Sequence, residues 1–330
     1  MKQNGALKQD TSILQRVKKI LSEKQSKKQE NLIPLVKKFI NRKEEFLQVA
    51  QTFQTPCYIL DAKELQQSIR SFDKAFRKEI PGILVYYAMK TNDNPYLLKT
   101  ISKHGWGLDV SSVREFDLAQ KSGCKDLIYT GPAKTKKDLE YVLKKDPNII
   151  IQIDSFGELE RLGEVTKKLN KPVKAGVRIS TASHKKWSKF GIPIKDLKTF
   201  WNYAEKFSFI NLQGIQFHLS WNEDVKPYQK AIKELSIYLT KNFTKTQLDA
   251  IRFIDFGGGF RPYQSEGTFP WLLPQGSIIK TANDYFNQPT DFAQKYIITP
   301  AVSIEEYAKG IGKAISQYLK PLVSCVYFTE

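Results

Sequence analysis

The chain has 330 residues, of which 41% are hydrophobic and 12% aromatic, so it is long and apolar enough for one large domain or two ordinary ones. It contains no run of about 18 apolar residues and no N-terminal signal-peptide pattern, which argues against a membrane partner and favours the cytoplasm. Three cysteines and three histidines are too few and too scattered for a disulfide framework or a histidine-built metal centre, so we expect no metal.

The formal net charge of +18 raises the alternative of a nucleic-acid binder. The excess is diffuse, however, because residues 1–50 hold 12 lysines and arginines against 5 acidic residues and the remainder is spread along the chain. The sequence has neither zinc-finger spacing nor an RNA-binding aromatic motif. We therefore predict a lysine-rich solvated surface without a nucleic-acid partner, which still favours anionic ligands such as a phosphate.

The first segment, residues 1–50, is predicted to be a basic helical extension. Apolar residues fall at helical spacing through residues 11–48, interrupted by the polar stretch SEKQSKKQEN. The main domain is predicted to cover residues 51–330.

Eight short apolar runs rich in β-branched residues follow, separated by stretches with helical periodicity. Strand and helix alternating eight times is the pattern of a (β/α)8 barrel, and although doubly wound sheets share the alternation, the count favours the barrel. Residues 261–300, rich in Pro, Gly and aromatic residues, break the rhythm and are predicted to form an ordered, functional loop. The eight runs are residues 83–90, 106–112, 127–131, 148–155, 173–180, 212–220, 251–259 and 323–330.

The ends of these runs carry residues that can bind anions or perform chemistry. In a parallel barrel the active site lies at the C-terminal ends of the strands. One polar residue past a strand is weak evidence, but a full set indicates a site. The set comprises Lys90, Asp109, Gly131, Asp154, Arg178, His218, Gly257 to Gly259, and Glu330.

Lys90 follows the apolar run VYYAM. Burial at the end of such a strand would depress the pKa of its amine and make it a better nucleophile toward an aldehyde. The alternative is a strand-end lysine that reaches solvent, and position alone leaves both interpretations open.

Three further features each have two interpretations. The glycines at residues 257–259 either let backbone N–H groups approach a phosphate or form a tight turn. His218 is either a hydrogen-bonded core residue or a ring that stacks on an aromatic cofactor. Glu330 either holds the N–H of a pyridinium ring or is an exposed terminus.

Together these residues and motifs identify a resemblance. Over residues 45–330 the chain resembles the fold-type III enzymes that use pyridoxal phosphate (PLP), in the group of diaminopimelate and ornithine decarboxylases. TPCYILD is similar to the opening strand of that family. The other motifs follow in the family's order: YYAMKTN, GLDVSSVREFDLA, IYTGPAKT, IDSFGELERL, VRISTASHKKWSKFGI and IDFGGGF.

The resemblance implies a barrel of the alanine racemase and ornithine decarboxylase type that holds pyridoxal 5′-phosphate as a Schiff base. It implies that Glu115 lies near the cofactor, that His218 stacks on the pyridine ring, that the glycine run binds the phosphate and that Glu330 binds the ring nitrogen. The implied catalytic residues are Lys90, His218 and Glu330. The implied cofactor-binding residues are Lys90, Asp109, Arg178, His218, Ser220, Gly257, Gly258, Gly259 and Glu330.

The sequence departs from the family in two places. Ser220 and Trp221 stand where the family usually has Gly-Ser, which puts the phosphate contact in doubt. The family continues past the glutamate with Pro-Gly-Arg and a β-rich domain of about 100 residues, which completes the active sites of a dimer. The chain therefore corresponds to the barrel portion, and we expect it to be a poor catalyst by itself.

The activity implied by the resemblance is decarboxylation of a diaminopimelate-, ornithine- or lysine-type amino acid, by a protein that is a homodimer in its full-length form. Two alternatives stay open. One is an amino-acid racemase on the same fold, and the other is a non-catalytic relative that binds PLP or regulates another protein.

Overall fold

The computed structural model describes Gln15, residues 37–262 and residues 302–330, apart from Ser188, Trp221, Glu223 and the side chains of residues 185–187. Apart from Gln15, the helical pattern predicted before residue 37 lies outside these residues, as does the predicted loop from residue 263 on. The chain divides into two compact units. One comprises Met1–Ile59 and Arg261–Ser303, and the other Leu60–Phe260 and Ile304–Glu330.

In the first unit, the described part confirms a helix where helical spacing is predicted. Helix α1 (Lys43–Phe53) follows a helical turn at residues 37–40 and continues past the predicted domain boundary at residue 50, which stays a prediction. Residues 55–61, which resemble the opening strand of the family, lie in neither a helix nor a strand. The partner expected for that strand is the β-rich domain that follows the barrel in the family, so the strand stays a prediction.

The second unit is a closed barrel of eight parallel strands. The strands are β1 (Leu84–Ala88), β2 (Gly107–Val110), β3 (Leu127–Tyr129), β4 (Ile150–Ile153), β5 (Val173–Ser180), β7 (Ile210–Gln216), β8 (Phe253–Asp255) and β9 (Val326–Thr329), and the two-residue β6 (Ile192–Pro193) pairs with β5 outside the ring. The hydrogen-bonded order is β4-β3-β2-β1-β9-β8-β7-β5, and β5 pairs with β4 to close the ring. Every predicted run contributes one strand, so the predicted (β/α)8 barrel is confirmed.

Helices connect the strands, and several begin at a side-chain cap. Ser112, Thr135, Ser155 and Thr244 each accept a hydrogen bond from the backbone N–H three residues on. No helix in the described part is long and apolar enough to cross a membrane. The helices are α2 (Ala62–Glu79), α3 (Pro95–His104), α4 (Val113–Ser122), α5 (Lys136–Lys145), α6 (Phe156–Leu169), α7 (Leu197–Ala204), α8 (Lys226–Asn242), α9 (Lys245–Ala250) and α10 (Ile304–Ala314), with short 3₁₀ turns at Ala182–Trp187 and Ile194–Asp196 and a π-helical turn at Ile315–Leu319.

The barrel interior changes from apolar to polar along the strands. The ring of Phe253, at the start of β8, stacks on the ring of Phe328 in β9, with the centroids 4.6 Å apart. A Cβ atom at Gly214 would lie 1.9 Å from the Phe253 ring, so this glycine makes room for it. Two residues further along, on the same faces, Gln216 and Asp255 are buried. The polar end is therefore the C-terminal end, where the site was predicted.

Candidate active site

The C-terminal ends of the strands surround a cavity of about 720 Å³, a size that suits a small-molecule site. Five of the predicted residues line it: Lys90, Gly131, Arg178, His218 and Ser220. The other predicted residues, namely Asp109, Asp154, the glycine run and Glu330, are not part of the cavity wall. The structure thus divides the predicted set between the wall and its surroundings.

Lys90 lies two residues beyond β1 and its side chain is exposed. Of the two interpretations left open for this lysine, burial does not hold, because β1 ends at Ala88 and Met89 occupies the buried position instead. The lysine lines the cavity, so its amine is accessible to a ligand there.

The side chain of Glu330 is buried, so the interpretation as an exposed terminus is wrong. His218 Nδ1 lies 3.0 Å from Glu330 Oε2, and Gln216 donates to Oε1. Burial alone would raise the pKa of Glu330, but the hydrogen bond and charge of His218, with the charges of Lys90 and Arg178, lower it to about 2. Glu330 is therefore held as a carboxylate next to the cavity.

Two more buried carboxyl groups share this region. The Thr130 hydroxyl donates to Asp109 Oδ1, while Asp109 Oδ2 makes no hydrogen bond. Burial, and then the charge of Glu330, raise the pKa of Asp109 and of Asp255 well above the usual 3.8. Of the three acids, only Glu330 has a lowered pKa, because it contacts His218. A site with this charge suits a cationic ring nitrogen.

The glycine run packs between neighbouring strand ends. Gly257 and Gly259 have φ values of +67° and +81°, which favour glycine. A Cβ atom at Gly258 would lie 2.4 Å from the Glu330 carbonyl oxygen, and one at Gly259 would lie 1.8 Å from the Leu219 carbonyl oxygen. These positions thus require glycine because of close packing, a reason the sequence did not reveal.

The amides of the glycine run have different partners. Gly257 N–H donates to Asp255 Oδ1 at 2.8 Å. Gly258 N lies 3.3 Å from His218 Nδ1, but this nitrogen is closer to the anionic Glu330 and donates its proton there, so it cannot also accept. Among the described residues, the amides of Gly258 and Gly259 are then left to bind an anion.

Arg178 adds a cation to the cavity wall. Its Nη1 lies 3.7 Å from Asp154 Oδ1, and its guanidinium carbon lies 5.2 Å from the centroid of the Phe190 ring. Gly191, at φ +78°, packs so closely that a Cβ atom would lie 2.9 Å from the Arg178 carbonyl oxygen. The triplet of residues 189–191 thus packs against Arg178, and Lys189 also lines the cavity.

A buried ion pair beside the cavity was not predicted from the sequence. Lys134 Nζ donates to Glu158 Oε1 at 2.7 Å, to the Gly131 carbonyl at 2.6 Å and to the Gln152 carbonyl at 2.7 Å. Neither charged side chain is exposed. Burial is the main cause that lowers the pKa of Lys134 and raises that of Glu158. Because Gly131 lines the cavity, this pair supports its wall.

Several polar residues of the cavity wall were also missed, because loops after strands have no periodicity that marks them. Glu115, which the resemblance places near the site, accepts the N–H of Ser111 at 2.7 Å. Thr181 N–H donates to His184 Nδ1 at 2.9 Å. The missed polar wall residues are Ser111, Thr130, Ser183, His184, Asn222 and Asp224.

The residues present fit a phosphorylated aromatic aldehyde. An exposed amine, cationic side chains, glycine amides and a carboxylate kept ionised surround or adjoin one cavity of suitable size. Asp109 Oδ2, buried without a hydrogen-bond partner near the charge of Lys90, adds an acceptor. Fold and site together define a parallel barrel whose cavity suits a small anionic cofactor.

The family model described as "Pyridoxal-dependent decarboxylase, pyridoxal binding domain" matches residues 65–301. The chain belongs to this family. The match confirms the family predicted from the sequence and, with it, the predicted cofactor, pyridoxal 5′-phosphate.

Known proteins agree with the family assignment. The diaminopimelate decarboxylase of Aquifex aeolicus (strain VF5) is 31% identical over 287 residues, which cover 83% of this chain and 65% of that protein. The one of Campylobacter jejuni subsp. jejuni is 29% identical over 228 residues, or 65% of this chain and 56% of that protein. The chain therefore spans less than two thirds of the length of these curated relatives.

A solved structure shows the same fold. The crystal structure of diaminopimelate decarboxylase from Helicobacter pylori, complexed with L-lysine, matches with a TM-score of 0.66 and 24% identity. The match covers 86% of this chain and 65% of that one. At this identity the likeness bears on the fold alone.

Proposed function

We propose that the barrel holds pyridoxal phosphate as a Schiff base on Lys90 and takes part in the decarboxylation of an amino acid. The observation that carries this proposal is the exposed Lys90 amine in a cavity next to the ionised Glu330. Bound pyridoxal phosphate supplies an electron sink for the electrons released when the substrate's carboxylate leaves.

The residues of the chain have distinct roles in this proposal. Lys90 supplies the amine. Glu330 accepts a hydrogen bond from the protonated ring nitrogen, because its own pKa is lowered to about 2 and it stays ionised. His218 orients Glu330 through the 3.0 Å contact and faces the cavity. The Gly258 and Gly259 amides, with Arg178 and Ser220, bind the phosphate. The unpaired Asp109 oxygen is assigned as a further acceptor for the cofactor, on the side of Lys90.

The proposed substrate class is a basic or dicarboxylic amino acid such as diaminopimelate, ornithine or lysine. The support is the names of the relatives, which are diaminopimelate decarboxylases that share up to 31% identity with this chain. The homodimer and the cytoplasmic location stay predictions.

Glu330 favours decarboxylation over the alternative racemase. A carboxylate keeps a ring nitrogen protonated and so makes it a full electron sink, whereas the related alanine racemases are expected to have an arginine at this place. Racemisation remains the second candidate because both activities share the barrel.

The test measures carbon dioxide release by the full-length protein from a panel of amino acids, with chiral analysis of the remaining substrate. We expect release from one basic or dicarboxylic amino acid. Racemisation without release would establish the racemase instead. If pyridoxal phosphate produced no absorbance band that borohydride removes, the proposal of a Schiff base would be wrong.

A further inference from the structure

Asp255 lies beneath the cavity between the two ends of the proposed cofactor site. It is the last residue of β8 and is completely buried. Its Oδ1 accepts the Gly257 N–H at 2.8 Å, and its Oδ2 accepts from Gln216 Nε2 at 3.1 Å. Gln152 Nε2, on β4, lies 3.3 Å from the same Oδ2 and reaches it across the barrel.

Each of the first two contacts leads to a different end of the site. Gln216 Nε2 also donates to Glu330 Oε1, so one amide group joins Asp255 to the carboxylate next to the ring position. Gly257 begins the glycine run, and its carbonyl accepts from Thr329 Oγ1 at 2.9 Å and from Glu330 N at 3.2 Å. The backbone of the run and the side chain of Glu330 are therefore both bonded to Asp255 or to its immediate partner.

We propose that Asp255 is a positioning residue that sets the glycine run and Glu330 in one fixed relation, so that the phosphate and the ring nitrogen of one ligand are both met. This inference rests on the proposed function of the barrel as the cofactor site. Asp255 acts through Gly257 and Gln216 and touches neither the substrate nor the cavity.

The chemistry of its neighbours explains why an aspartate stands there. The three hydrogen-bonding partners of Asp255 are all N–H donors. These donors favour the carboxylate, which offers acceptor oxygens on both sides, although burial raises the pKa of Asp255. An asparagine has the same shape but only one acceptor oxygen. If that oxygen serves Gly257, the NH₂ group faces the NH₂ of Gln216. Both ends of the site then cannot be held at once.

The first arm of the test uses the protein without ligand. The chain has three histidines, so ¹⁵N-histidine NMR resolves His218, whose Nδ1 contacts Glu330. We expect Asp255→Asn to shift the His218 Nδ1 resonance because Gln216 can no longer hold Glu330 in place. Gln216→Met removes the link between Asp255 and Glu330 but leaves the contact of Asp255 with Gly257, so it should shift the His218 resonance too. Gln152→Met is the matched control, since Gln152 contacts Asp255 but not Glu330, and should leave the resonance unchanged.

The second arm measures affinity for pyridoxal phosphate and for pyridoxal, which lacks the phosphate. Their ratio isolates the phosphate contribution. We expect Asp255→Asn to weaken pyridoxal phosphate binding at least about tenfold and to lower the ratio. Gln216→Met should weaken both ligands alike and keep the ratio, because the contact of Asp255 with Gly257 stays intact.

Three outcomes would overturn the inference: an unchanged His218 resonance in Asp255→Asn, an unchanged ratio of the two affinities in that variant, or the same changes in Gln152→Met. The last would show general loosening of the barrel interior. The NMR arm needs no ligand, so it tests the contacts even if the barrel fails to bind pyridoxal phosphate. Such failure would instead overturn the proposed function. Circular dichroism checks that each variant is folded.

Discussion

Two lysines near the C-terminal ends of the strands have opposite environments. Lys134 is completely buried and makes three hydrogen bonds, one of them to the buried Glu158. Lys90 is exposed and lines the cavity. The comparison distinguishes a lysine with a structural role from a lysine that is available for chemistry. The amine of Lys134 is fully used in supporting the wall, whereas that of Lys90 can reach a ligand.

The largest effect is expected for Lys134→Met. The substitution leaves Glu158 buried without its cation, which should lower the free energy of unfolding by about 3–5 kcal/mol. Chemical denaturation measures this change. The double variant Lys134→Met with Glu158→Leu should recover much of the loss, because no buried charge then remains unpaired. A small effect of the single variant would mean that Lys134 is not the structural lysine of the comparison.

A second effect concerns Gly258, in the glycine run that packs against Glu330. Gly258→Val should weaken pyridoxal phosphate binding at least about tenfold, since the side chain would displace the Glu330 backbone. The control replaces the lysines within residues 18–38 by glutamine and should leave the affinity nearly unchanged. Equilibrium titration measures both. The reverse pattern would mean that the basic surface binds the phosphate.

A third effect depends on pH. The pKa of Asp109 is raised, so the folded protein binds this proton more tightly than the unfolded chain, and the free energy of unfolding falls as the pH rises above 3.8. Asp109→Asn cannot titrate. The free energy of unfolding of the variant should therefore rise relative to that of the wild type as the pH increases, by up to about 1.4 kcal/mol per pH unit. A difference that stays constant from pH 4 to pH 8 would contradict the raised pKa.

The smallest effect is expected for Lys90→Ala. Because this side chain is exposed and makes no hydrogen bond or ion pair with another described residue, the free energy of unfolding should change by less than about 0.5 kcal/mol. Denaturation of the protein without ligand, beside the Lys134 variant, checks this. A loss comparable to that of Lys134→Met would remove the distinction between the two lysines.

The strands could be predicted because each is a short apolar run of a kind that local sequence shows. The two-residue β6 was missed because Ile192 and Pro193 form no run. The strand predicted at residues 55–61 stays a prediction, since a local pattern does not show which partner strand it needs.

The candidate site was predictable only in part. Residues after strand ends, such as Lys90 and His218, could be found from position and family resemblance. Gln216 and Asp255 were missed as members of the site, because inside an apolar run the sequence does not show which side chains point to the barrel axis. The burial of Lys134 depends on Glu158, 24 residues away, and no local pattern shows that contact.

The most direct test of the account asks which lysine carries the cofactor. The protein is mixed with pyridoxal phosphate, reduced with borohydride and digested, and the modified peptide is identified by mass spectrometry. We predict that the adduct lies on Lys90, and that Lys90→Ala abolishes it while the protein remains folded. An adduct on Lys134 or on any other lysine, or an unchanged adduct in Lys90→Ala, would contradict the central claim.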